Sequence, residues 1–161
     1  MRLVFTKRDG KYDDLTVERE GRQAAKIHCP KQGIIPHDMV HFGVESVLSQ
    51  RGFLSLLEAA ETPGYQVRGG AEEEAIERLV ECFQAEMWGE RVPTAELLES
   101  YALACEARSH AAVSVSATEV VAIRACLDEL TERWRQIPLN QSLALELPDR
   151  GTNDELSSPI D

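Results

Sequence analysis

The chain has 161 residues, of which 43% are hydrophobic and 28% are charged, as in an ordinary globular domain. Its 28 acidic residues outnumber the 17 basic ones and give a formal net charge of -11. Nucleic acids and anionic membrane surfaces bind to clusters of basic residues, so this balance argues against both as the main partner.

The first thirty residues predict three antiparallel strands joined by two tight turns. Apolar and polar residues alternate in residues 3–6, 15–18 and 25–29, which is the period of a strand with one buried face. Asp9-Gly10 and Glu20-Gly21 lie between these segments, and glycine at such positions favours a hairpin turn. A three-stranded meander is the expected result.

The first helix is predicted to begin at Pro36, because proline suits the first helical turn, where its missing N–H costs nothing. Its apolar positions follow a helical period and comprise Val40, Val44, Val47 and Leu48. Gly52 is expected to interrupt this helix. A shorter helical piece is then expected to end before Pro63, and its apolar residues are Phe53, Leu56 and Leu57.

Three further helices are indicated by apolar stripes at helical spacing, over residues 72–87, 94–108 and 116–137. The last of them opens with Ser116 and Glu119 three residues apart, the pattern of a capping box. Pro138 is expected to end it, since proline cannot continue a helix.

A final strand is predicted where Leu143, Leu145 and Leu147 alternate with small or polar residues. Residues 148–161 carry too little apolar surface to fold and are predicted to be a disordered tail. We therefore expect a single α+β domain over residues 1–147. Its small antiparallel sheet would combine the N-terminal meander with the C-terminal strand and pack against four or five helices.

The four cysteines lie far apart and form no CxxC pair: Cys29, Cys82, Cys105 and Cys126. Zinc frameworks and redox pairs bring thiols close in sequence, so four reduced thiols are expected. The chain shows no signal-peptide pattern and no run of the roughly 18 apolar residues that a membrane helix needs. These features predict a cytoplasmic protein with no membrane partner.

Two features concern contacts with other proteins. Trp88 and Trp134 are expected to be core anchors, with contact to a partner as the alternative. The apolar edge of the last helix is expected to pack either within the domain or against a second copy of the chain, which would make a homodimer.

His37, His41 and Glu45 recur at four-residue spacing in the first helix. With about 100° per residue they form one narrow stripe at the border of the apolar face. Two imidazoles four residues apart can bind one ion, so His37 and His41 are candidate ligands for zinc or another divalent metal. Together with Asp38 the three residues make a candidate polar site, which consists of His37, Asp38, His41 and Glu45.

This segment resembles the HExxH motif of zinc hydrolases but has Asp38 where that motif has glutamate. The shorter carboxylate would have difficulty in reaching a zinc-bound water. Glu45 lies about 12 Å along the helix from His37, so a third metal ligand would have to come from elsewhere, with His28 or Cys29 as candidates. The alternative is that the four side chains are only a solvated or structural face of the helix.

A longer pattern runs from Cys29-Pro30 through the segment Pro36 to Glu45 and on to Arg51-Gly52-Phe53. It resembles a group of small uncharacterised bacterial proteins that share a strand meander followed by a PHD-x-V-H-aromatic-x-V-E segment. The resemblance implies that the His/Asp/Glu segment belongs to a recognisable pattern, and it implies no activity or cofactor.

The sequence thus leaves three hypotheses open. The first is a small cytoplasmic bacterial binding or regulatory module whose polar site fixes a small-molecule or protein partner. The second is a metal-dependent, zinc-type hydrolase that uses His37 and His41. The third is an interaction protein that self-associates through its helices, with purely structural histidines.

Overall fold

A computed structural model describes residues 1–31, 33–48 and 70–147 of the chain. The predicted interruption at Gly52, the shorter helical piece after it and the Arg51-Gly52-Phe53 segment lie outside these residues. The tail predicted for residues 148–161 also lies outside them.

Four antiparallel strands form one sheet, in the order β3-β2-β1-β4. Their bounds are Arg2–Thr6 for β1, Tyr12–Arg19 for β2, Arg22–Pro30 for β3 and Ser142–Glu146 for β4. The meander forms for the local reason expected. At the second turn Glu20 and Gly21 have φ values of 50° and 73°, and two positive φ angles suit the twist of a two-residue hairpin.

Four helices lie in the described part of the chain. Their bounds are His37–Leu48 for α1, Ala71–Trp88 for α2, Thr94–Ala107 for α3 and Ala117–Arg135 for α4. The capping box is confirmed, because Ser116 Oγ accepts from the Glu119 amide while the Glu119 carboxylate accepts from the Ser116 amide. With the sheet, these helices confirm the predicted α+β class.

The core lies between one face of the sheet and the helices. Alternate strand residues are buried on that face, among them Leu3, Phe5, Leu15, Val17, Cys29 and Leu145. The helix α1 contacts β3, α2 and α4, and nine of its 12 residues are buried. It is therefore the central helix of the domain, and its polar side chains have to find partners inside the protein.

Two sequence expectations have contrasting outcomes. Trp134 is a core residue as predicted, whereas Trp88 at the end of α2 is 60% exposed and is not a core anchor.

All four cysteines are free thiols. None of the helices in the described ranges is long and apolar enough to cross a membrane.

Gly43 sets how closely α1 approaches α4. A Cβ at this position would lie 2.7 Å from Leu127 Cδ2 and 3.3 Å from Leu127 Cγ, closer than carbon atoms normally pack. Because Leu127 is itself buried, its side chain has little room to move.

We expect Gly43→Ala to destabilise the domain by about 1 kcal/mol. Alanine favours the helix by about 1 kcal/mol, but overpacking a well-filled core costs roughly 1–3 kcal/mol. Urea unfolding would measure the change. Gly89→Ala is the control, because an added Cβ there meets only the Ala85 carbonyl at 3.6 Å. A Gly43→Ala protein at least as stable as the wild type would contradict this account.

Asp14 on β2 accepts a hydrogen bond from Arg8 at 2.8 Å and contacts His28 at 3.0 Å. The hydrogen bond from Arg8 lowers the pKa of Asp14 against the opposing effect of burial, with His28 and Lys26 adding to the lowering. A carboxyl whose pKa is lower in the folded than in the unfolded state stabilises the fold above its unfolded pKa.

We therefore expect Asp14→Asn to destabilise the protein at neutral pH, by about 1 kcal/mol or less because Arg8 is partly exposed. The difference from the wild type should shrink as the pH falls below about 4, the ordinary pKa of aspartate. Thermal unfolding between neutral and acidic pH checks this. A difference that stays constant across that range would show that the charge of Asp14 does not stabilise the fold.

Candidate metal centre

Five polar side chains from two helices make one connected cluster at the α1–α2 interface. The helix α1 provides His37, His41 and Glu45, and α2 provides Glu77 and Gln84. In each helix the residues follow one line along the axis, because positions four or seven apart share a face.

His41 lies between two carboxylates. Its Nδ1 is 3.2 Å from Glu45 Oε2, and its Nε2 is 2.7 Å from Glu77 Oε2. A carboxylate only accepts hydrogen bonds, so both ring nitrogens act as donors and the imidazole is charged. The ring is thereby fixed at both ends.

His37 is held in a parallel way one helical turn earlier. Its Nδ1 donates to Gln84 Oε1 at 2.5 Å, and its Nε2 donates to Glu77 Oε1 at 3.1 Å. Each carboxylate oxygen of Glu77 thus accepts a hydrogen bond from one histidine, and Glu77 connects the two rings.

The rings of His37 and His41 are close but do not stack. Their centroids are 4.9 Å apart and their planes are inclined at 80°. One ligand atom from each of His37, His41 and Glu77 lies within 4.8 Å of the others. Zinc makes bonds of about 2 Å with nitrogen and oxygen, so these three atoms are close enough together to be candidate ligands of one ion.

The charges in the cluster support one another. Burial lowers the pKa of His41, but hydrogen bonds to Glu45 and Glu77 outweigh it and raise the pKa to about 10. The pKa of His37 is also raised, since its bonds to Glu77 and Gln84 outweigh burial. Burial would raise the pKa of Glu77, but the two histidines hold it well below its usual range. The carboxylate of Glu77 is therefore ionised at neutral pH.

Access to the cluster is from one side. The side chain of His41 is 2% exposed, whereas those of His37 and Glu77 are 22% and 32% exposed. Solvent therefore reaches the His37 and Glu77 side of the cluster, while His41 and Glu45 close its inner end.

The other candidate residues from the sequence lie elsewhere. Asp38 is buried and accepts a hydrogen bond from the Cys29 thiol at 2.9 Å, so it links α1 to β3 and does not join the histidines. Burial, together with the Asp38 carboxylate, raises the pKa of Cys29 far above its usual range, and the thiol stays protonated. The His28 ring contacts Asp14 instead of the cluster.

Sequence reasoning missed Glu77 and Gln84. These residues are seven apart and border the buried stripe of α2 formed by Ile76, Leu79, Val80 and Phe83. That position makes them candidates for an interface between helices. Which helix they face depends on tertiary packing, however, and a single sequence does not reveal it.

Comparison of the chain with protein-family models, with curated proteins and with solved structures gives no match. The resemblance of the α1 segment to small bacterial proteins therefore stays a prediction.

Glu45 offers a test of the inner end of the cluster. We expect Glu45→Gln to lower the free energy of unfolding by about 2 kcal/mol, because a buried hydrogen bond between charged groups contributes on that scale. Urea unfolding in the presence of a chelator would measure it. The exposed Glu99→Gln is a matched control, and an equal effect of both substitutions would show that Glu45 does not stabilise His41.

Proposed function

We propose that this protein is a binding or regulatory module whose ligand is a divalent transition metal ion, with zinc as the first candidate. His37 and His41 would bind the ion through their Nε2 atoms, and Glu77 would bind it through its carboxylate. This set of two imidazoles and one carboxylate suits zinc and also other ions of the first transition row.

One observation carries the proposal. Both histidines direct Nε2 to a shared carboxylate, while the Nδ1 atoms donate to the side-chain oxygens of Gln84 and Glu45. Histidines that bind metals almost always donate their second N–H to such an acceptor, which fixes the tautomer and aims the ring. The common orientation presents both Nε2 atoms to one position, where an ion could replace the two protons.

The surroundings also favour a cation. Glu45 and Glu77 place two carboxylates beside two imidazoles, so an ion that replaces the protons between the rings and Glu77 keeps the cluster close to neutral. The partly exposed side of His37 and Glu77 leaves room for a water or another ligand in a further coordination position. An ion there would connect α1 to α2 and stabilise their packing.

A zinc-type hydrolase remains the alternative, with less support. That chemistry needs a general base next to the metal-bound water. Asp38, the residue at the position of the HExxH glutamate, hydrogen-bonds to Cys29. An enzyme would have to use another group for this step, and the contacts of the cluster therefore favour binding over catalysis.

We also propose a cytoplasmic location, which the four free thiols support. The net charge of -11 supports a partner other than nucleic acid or membrane. A homodimer stays open as a proposal, and a sizing measurement over a range of protein concentrations would test it.

The proposal predicts that untagged protein binds one equivalent of Zn²⁺ and that its thermal midpoint rises with the Zn²⁺ concentration. Each of His37→Ala, His41→Ala and Glu77→Gln removes a proposed metal ligand and should weaken Zn²⁺ binding by more than about 100-fold. This loss is larger than the one expected for a residue that only positions a ligand. Gln84→Leu, which removes only the acceptor for His37 Nδ1, should weaken binding by about 10–100-fold. Calorimetric titration and metal analysis after dialysis measure these effects.

His28→Gln is the control, because His28 lies on the sheet and is outside the cluster. Titration with Co²⁺ adds a spectroscopic readout, since the visible absorption of the bound ion reports its coordination. The proposal fails if the wild-type protein binds no Zn²⁺ at micromolar concentration, or if His28→Gln weakens binding as much as His37→Ala does.

A further inference from the structure

A cavity lies beside the loop that leads into α1. Its volume is about 410 Å³, which is in the range of small-molecule pockets. The wall combines Lys7 just after β1, Asp13 of β2, the segment from Lys31 to Pro36 before α1 and the end of α4. No ligand of the candidate metal centre lines it.

The charge of this cavity is opposite to that of the protein. Three cationic side chains, those of Lys7, Lys31 and Arg135, line it together with one carboxylate, that of Asp13. Asp13 is buried, accepts from the Arg8 amide at 2.8 Å and lies 3.7 Å from Lys31 Nζ. Asp13 is thus paired with Lys31, and Arg135 forms an ion pair with Glu132 of its own helix. Of the three lining cations, Lys7 therefore supplies the excess positive charge, in a chain of net charge -11.

The Lys7 ammonium is held in place by its surroundings. Its Nζ donates to the Trp134 carbonyl at 2.7 Å and lies 4.8 Å from the centroid of the Trp134 ring. An ammonium group has three N–H donors, so donors remain for a ligand while the side chain is fixed. A positioned charge loses less conformational entropy when it binds an anion.

The remainder of the wall is apolar. Ile34, Ile35, Pro36 and Trp134 line the cavity, and Ile34 is 43% exposed. A hydrocarbon or aromatic body would bury apolar surface against these side chains, which is favourable in proportion to the area removed from water.

We propose that this cavity binds a small organic carboxylate with a flat apolar body. The carboxylate would lie between Lys7 and Lys31, and the body would lie against Ile34, Pro36 and Trp134. Inorganic phosphate has no apolar body to bury against this wall, so the apolar part of the cavity favours an organic carboxylate over phosphate. This site shares no side chain with the proposed metal centre, and Pro36 of its wall directly precedes His37.

The test uses 3-phenylpropionate as the probe and 3-phenylpropionamide as its neutral analogue. Calorimetric titration of the wild-type protein measures binding, because Trp88 lies against Gly33 of the cavity wall and its replacement would alter that wall. We expect saturable binding of the acid in the micromolar to millimolar range, and much weaker binding of the amide. Inorganic phosphate in excess should not displace the acid.

Lys31→Gln and Lys7→Gln should each weaken binding of the acid by about tenfold, because a hydrogen bond between charged groups contributes on that scale. The exposed Lys11→Gln is the control and should leave binding unchanged. Circular dichroism checks the fold, and Lys31→Gln decides the matter if Lys7→Gln does not fold. The proposal would be overturned if the acid showed no saturable binding, or if the amide bound as tightly as the acid. It would also be overturned if Lys31→Gln left the affinity for the acid unchanged, or if phosphate displaced the acid.

Discussion

The burial of α1 on nearly all sides is the constraint on which the rest of this structure depends. Nine of the 12 residues of α1 are buried against β3, α2 and α4, so most of its polar groups cannot turn to water. An unsatisfied buried polar group costs about 1–3 kcal/mol. Asp38 meets this constraint through Cys29, and His41 meets it through Glu45 and Glu77. The polar residues of α1 therefore define how the sheet, α1 and α2 fit together, in addition to forming a site.

The same side-chain contacts would hold the proposed centre together both without and with a bound ion. With protons on the rings, Glu77 receives one hydrogen bond from each histidine, and the cluster joins two helices without any ion. With an ion, the outer acceptors Gln84 and Glu45 would keep both rings in their present orientation, so little rearrangement would be needed. Such preorganisation favours binding because the geometry is fixed before the ligand arrives.

Much of the fold could be predicted because its signals are local. The turn at Glu20-Gly21, the capping box at Ser116 and the apolar stripes each specify structure within a few residues. The site was predictable only in part, since the spacing of His37 and His41 follows from one helix. Glu77 contacts these histidines only because α1 packs against α2, and the two helices are far apart in the sequence. Asp38, only one residue from His37, points about 100° away around the helix and meets β3 instead.

The pairing of β1 with β4 affects the order in which the sheet folds. The Met1 carbonyl accepts from the Leu147 amide at 2.9 Å, so these strands join positions separated by almost the whole domain. Closing so long a loop is entropically costly, and this ladder is expected to form after the hairpins. During synthesis the outer edge of β1 has no strand beside it until residues 142–146 leave the ribosome, and an unpaired strand edge is open to association with other nascent chains.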